Sequence, residues 1–168
     1  MVVLGVDSGS LSTGYGLVEG QGSRLRALEF GAIRNPASAP HPERLFAIQE
    51  RLRELLRKHR PDAVALEEVF VAKNARSALI LGQVRGVVMV TALAEGVKVS
   101  EYTPNQVKMA VTGYGHADKA QMQQMVKLLL GLDSPPTPHD AADALALAIT
   151  ALSRRGWDAR VPAAGGRS

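Results

Sequence analysis

Val2-Val3-Leu4-Gly5-Val6-Asp7 is an almost continuous apolar run ending on a carboxylate, and Ser8-Gly9-Ser10 follows it directly. A short apolar run closed by turn residues reads as a strand buried on both faces. Thr13-Gly14-Tyr15-Gly16-Leu17-Val18-Glu19 then returns beside it as a second strand. Gly20-Gln21-Gly22-Ser23 turns the chain into a third, over residues 24–33. The chain therefore opens as an antiparallel three-stranded unit with an acid at the end of its first strand.

Further along, residues 35–42 are rich in Pro and Ser and read as a loop. Residues 43–59 carry Leu45, Ile48, Leu52, Leu55 and Leu56 at helical spacing. Pro61-Asp62 ends that helix, and Ala63-Val64-Ala65-Leu66 is a buried strand running into Glu67-Glu68. A long helix is expected over 74–95. Its Gly82 and Gly86, four apart, make a flat spot expected to pack on the sheet. Residues 97–102 form a fifth strand, and Thr103-Pro104-Asn105-Gln106 has the pattern of a capping box with proline at the first helical position. Helices over 117–130 and from His139 to about residue 155 complete the chain. The order β-β-β-α-β-α-β-α-α-α makes one mixed α/β domain over 1–155, with a frayed, disordered tail over 156–168.

Composition excludes several alternatives. The 168 residues are 46% hydrophobic and 21% charged, too apolar for general disorder. The longest apolar stretches, such as 86–94, reach roughly half the ~20 residues of a membrane span. The start carries no basic lead or cleavage signal, so no signal peptide is expected. With no cysteine there are no disulfides, thiolate metal sites or cysteine nucleophiles. These features fit a cytoplasmic protein. The excess of 20 Lys+Arg over 16 Asp+Glu, net +4, is compatible with a polyanionic partner.

The acids fall in unusual places. Asp7 and the Glu67-Glu68 pair end apolar strands, and Asp140 and Asp143 open a helix built almost wholly of Ala, Leu and Ile. Singly, each has a structural explanation as a turn or cap residue. Together they place carboxylates from three distant points on elements that read as buried. Asp140 and Asp143, three apart, share one helical face. Buried carboxylates need a counter-charge. With no histidine cluster in the sequence, hard divalent cations held by oxygen are the natural one. Carboxylates around one or two magnesium-type ions suit in-line phosphoryl chemistry, and the basic balance points to nucleic acid as the source of phosphate.

Gly5-Val6-Asp7-Ser8-Gly9 with Thr13-Gly14-Tyr15-Gly16, then Leu66-Glu67-Glu68-Val69-Phe70 with Lys73-Asn74, closely resembles the RuvC Holliday-junction resolvases. The likeness continues through Leu81-Gly82-Gln83-Val84-Arg85-Gly86 and Gln106-Val107-Lys108, and ends in Asp140-Ala141-Ala142-Asp143-Ala144-Leu145-Ala146. It implies an RNase H-like fold with a mixed five-stranded sheet flanked by helices. It also implies a homodimeric endonuclease that uses Mg2+ or Mn2+, two ions per active site, to cut four-way DNA junctions by symmetric nicks. The products are a 5′-phosphate and a 3′-hydroxyl, and a RuvA–RuvB branch-migration complex is the expected partner. The family's four acidic positions fall on Asp7, Glu67, Asp140 and Asp143. Glu67 is taken over Glu68 by the resemblance, since strand parity does not decide in a strand buried on both faces. Ser8 stands where relatives commonly have proline, which removes no ligand.

Lys119 resembles a family lysine near the site, and Lys108 a family basic position. Phe70 lies among Lys73, Asn74 and Arg76, and an aromatic beside basic residues suits stacking on an unpaired base. These residues, with Lys108 and Lys119, are the expected DNA contacts. Tyr114 and His116 in the Gly113–His116 loop are further candidates. The helix over 74–95 is the expected dimer element, with Ala78, Leu81, Val84 and Val88 available for an apolar seam. Other readings are a general RNase H-like nuclease, a junction-binding module that does not cut, and an actin- or sugar-kinase-type ATPase. The last lacks room for a second lobe.

Overall fold

The computed structural model describes residues 1–68 and 74–158. The element order is the expected one: β1 (Val2–Asp7), β2 (Ser12–Gln21), β3 (Arg24–Arg34), α1 (His41–His59), β4 (Ala63–Glu67), α2 (Ala75–Ala94), β5 (Lys98–Tyr102), α3 (Pro104–Thr112), α4 (Lys119–Leu130) and α5 (His139–Asp158). The strands form one sheet in the order β3-β2-β1-β4-β5. β1 pairs antiparallel with β2, and β2 with β3, while β1–β4 and β4–β5 are parallel.

Alternation along the central strands divides the core into two layers. Leu4 and Val6 of β1 and Val64 and Leu66 of β4 pack under α1 and α2. Val3 and Ala65 face the opposite layer, built from α3, α4 and α5. α5 lies across that second face, with Ala141, Ala144, Leu145, Ala148 and Ile149 buried. Gly5 and Gly14 permit this close seating: a Cβ on Gly5 would overlap the Ala144 carbonyl, and one on Gly14 the Asp140 carbonyl. Small residues on both sides let the helix backbone sit directly on the sheet.

Several boundaries differ from expectation for local reasons. α1 starts at His41 because Pro42 lies in its first turn, where its missing N–H costs nothing. The capping box at Thr103 and Gln106 is present as read, and Asp118 with Gln121 forms a second, over a helix that starts at Lys119. α5 runs to Asp158, three residues past the expected domain limit. The tail beyond it lies outside the described residues.

The expected packing of Gly82 and Gly86 on the sheet is not what forms. Open space surrounds both glycines, and α2 turns Val84 and Val88 inward instead. The two valines belong to the chain's own core, so they cannot form a seam with another molecule. Leu79, Val90 and Leu93 are the large apolar residues that α2 leaves exposed. By length and composition α2 could cross a membrane, which the longest unbroken apolar stretch did not reveal. Arg85 at its middle, tucked inward onto β4 and β5, identifies it as a wall of this fold.

Candidate active site

β1 and β4 are parallel neighbours whose last paired residues are Val6 and Leu66, so Asp7 and Glu67 follow one step later at the same edge. Both fall on the α5 side, continuing the alternation of Gly5 and Ala65. Glu68 falls on the other parity, and its backbone N–H donates to the Tyr102 carbonyl, 2.8 Å. α5 enters over this edge and brings Asp140 and Asp143. The four carboxylates line one cavity of about 460 Å3, walled by Val107 and Met122, with Lys108 from α3 and Lys119 from α4 on its lining. Six of the site residues expected from sequence therefore converge from five elements.

The electrostatics are those of crowded, partly dehydrated acids. Asp7 is pushed up to about 7, first by burial and then by the charges of Asp143, Asp140 and Glu67, against a smaller opposing pull from Lys119. Burial and Asp143 raise Glu67, with Arg85 and Lys119 opposing. Burial also raises Asp143, which Lys119 opposes with its ammonium 3.8 Å away. Among the described residues, no three acids or histidines form a ready-made cation cage. The fit to a hard divalent cation rests on the donor set: four carboxylates share one cavity, and burial and crowding raise the proton affinity of Asp7, Glu67 and Asp143 against the opposing pull of Lys119, Arg85 and His139.

Two supporting contacts lay outside the sequence reading. Ser12, at the start of β2, donates its hydroxyl to Asp140 Oδ2. Arg85 donates from α2 to the Glu67 backbone carbonyl and to Glu101 of β5, clamping the strand end that carries Glu67. The first joins residues 128 apart in the chain, so no local pattern announces it. The second was signalled by an arginine in the interior of a mostly apolar helix.

The remaining candidates lie elsewhere. The Asn74 side chain accepts from the Ser77 N–H, 2.9 Å, and caps α2. Arg76 is exposed in the first turn of that helix, and neither residue lines the cavity. Tyr114 and His116 are exposed and meet edge to face, ring centres 5.6 Å apart. Phe70 and Lys73 lie outside the described residues.

The family model described as crossover junction endodeoxyribonuclease RuvC matches residues 3–151. The chain belongs to the RuvC family. It is 49% identical over 152 residues to a crossover junction endodeoxyribonuclease RuvC of Syntrophomonas wolfei, covering 90% of this chain and 88% of that one. The structure of Thermus thermophilus RuvC in complex with Holliday junction substrate superposes with a TM-score of 0.89 at 40% identity, covering 94% of this chain and 96% of that one. The yeast mitochondrial Holliday junction resolvase Ydc2 has the same fold at 15% identity, with a TM-score of 0.67 over 92% of this chain and 78% of that one. The superposition on RuvC and the mixed five-stranded sheet flanked by helices bear out the RNase H-like architecture expected from sequence.

Proposed function

We propose that this crossover junction endodeoxyribonuclease hydrolyses phosphodiesters of four-way DNA junctions at the cavity between β1, β4 and α5. Asp7, Glu67, Asp140 and Asp143 would hold two divalent cations there, Mg2+ or Mn2+. The observation that carries this is the convergence of the four acids, with Asp7 raised to about 7 by its surroundings. Groups so perturbed in a cleft are where ionic chemistry concentrates.

When bound, such cations supply Lewis acidity for in-line displacement at phosphorus, giving a 5′-phosphate and a 3′-hydroxyl. The protein's own part is placement. Asp7, at the sheet's centre between Glu67 and the α5 pair, would contribute to holding both cations. Glu67 would help hold one, and Asp143 with Asp140 the other. Lys119 brings positive charge against Asp143 and the incoming phosphate, and Lys108 holds the strand from the α3 wall. Phe70, Lys73, Asn74 and Arg76, before and at the start of α2, are assigned to the junction centre on the strength of the family resemblance and the base-stacking chemistry of an aromatic among cations.

Cutting two opposed strands of a two-fold junction calls for a two-fold protein, so the working form is a homodimer. Phe46 of α1 with Leu79, Val90 and Leu93 of α2 are each more than 60% exposed, and a second copy would cover them. Phe46 and Val90 line a shallow groove together with Leu45, Gly86 and Val87. A cytoplasmic location and a RuvA–RuvB branch-migration partner complete the reading, both from the family resemblance.

Single-turnover nicking of a labelled junction by Asp7→Asn, Glu67→Gln, Glu68→Gln and Asp143→Asn tests the assignment. Cutting should fall by at least about a hundredfold in all but Glu68→Gln, with junction binding retained, since each removes a charged ligand. A Glu68→Gln variant as inactive as Glu67→Gln would overturn the choice between the two glutamates.

A further inference from the structure

On the face of β2 turned toward α5, Ser12, Gly14 and Gly16 occupy alternate positions. The two glycines provide clearance, Gly14 under the Asp140 backbone and Gly16 under Leu145. Ser12 alone of the three presents a side chain, and its hydroxyl reaches Asp140 Oδ2. Its support is stiff. The Thr13 hydroxyl donates back to the Gly9 carbonyl, 2.6 Å. Asn35 donates through its side chain to the Ser10 carbonyl, 3.1 Å, and through its backbone to the Leu11 carbonyl, 2.9 Å. The loop between β1 and β2 is thus tied down on both sides of the residue that touches Asp140.

We propose that Ser12 is a positioning residue for the cation site: by holding Asp140 Oδ2 it fixes the carboxylate's rotamer and leaves Oδ1 for a divalent ion. This rests on Asp140 being a cation ligand. Without the hydroxyl the carboxylate regains rotamer freedom, and each binding event must order it again. Partners of this kind typically matter about tenfold or more in metal affinity. The bond is local to the site and contributes little to the core, so its loss should show in cation binding and leave the apo fold unchanged.

The test is titration of cation-free, DNA-free protein with Mn2+, followed by loss of the free-ion resonance signal, alongside thermal unfolding. Ser12→Ala should bind Mn2+ about tenfold more weakly with its melting temperature unchanged, and Ser12→Thr, which restores the hydroxyl, should bind as wild type. Asp140→Asn should weaken binding at least as much, and adding Ser12→Ala to it should cost nothing further, because the two act through one group. Wild-type affinity in Ser12→Ala, or a lowered melting temperature with unchanged affinity, would overturn the positioning role. Wild-type affinity in Asp140→Asn would overturn the ligand assignment itself.

Discussion

At Asp7, burial and three like charges all oppose ionisation, and the consequence is readable as stability. The group titrates near 7 in the folded chain against an ordinary 3.8. The fold therefore favours its neutral form: that advantage is complete below about 3.8 and is lost as pH rises through about 7. Without divalent cations, ionised Asp7 is a burden at pH 8 that Asp7→Asn removes. The variant should melt several degrees above wild type at pH 8 in a chelating buffer, the gap closing toward pH 4. A gap independent of pH would contradict the burial and repulsion invoked here. The four acids were legible from sequence because each interrupts an apolar pattern. The choice of Glu67 was less so. A strand buried on both sides shows no parity in its sequence, yet Gly5, Asp7, Ala65 and Glu67 all fall on the α5 side. The small residues that mark that side are visible only once α5 is known to lie there.

The elements show what local sequence does and does not encode. Caps and turns act over a few residues: the Thr103–Gln106 box forms as read, and Gly131 closes α4 in the left-handed conformation. The Gly82/Gly86 spot was misread because spacing says that a helix is flat there, not which neighbour will use the flatness. Val84 and Val88 gain more by burial than glycines, so they turn inward. Gly14 is the converse case, a glycine whose neighbour is decisive. Gly14→Ala would drive a methyl into the Asp140 carbonyl and lift the first turn of α5 from β2. The expected cost is about 1–3 kcal/mol in urea unfolding. Junction cutting should fall by more than the stability loss explains, since Asp140 and Asp143 move with that turn. Unchanged cutting would show that the α5 pair is not held by its seat on Gly14.

For the molecule as a whole, the ends of the interior strands β1 and β4 gather the acids beneath α5, while the opposite helical layer leaves an apolar face. Neither arrangement lies in any single stretch of sequence, because each depends on how distant elements cross. In the proposed homodimer, junction specificity would also arise at this scale: a single phosphodiester site does not sense four arms, whereas two sites held at a fixed separation would. The decisive measurement maps cuts on all four strands of an end-labelled junction, beside linear duplex and an RNA–DNA hybrid of the same sequence. Leu79→Glu, which puts a charge on the exposed face of α2, serves as the control. The wild type should cut two opposed strands at matching positions in the junction alone and leave ends that ligase can seal, while Leu79→Glu gives unpaired nicks. Equal cutting of duplex or hybrid by the wild type would contradict the account and leave only a nuclease of the same fold.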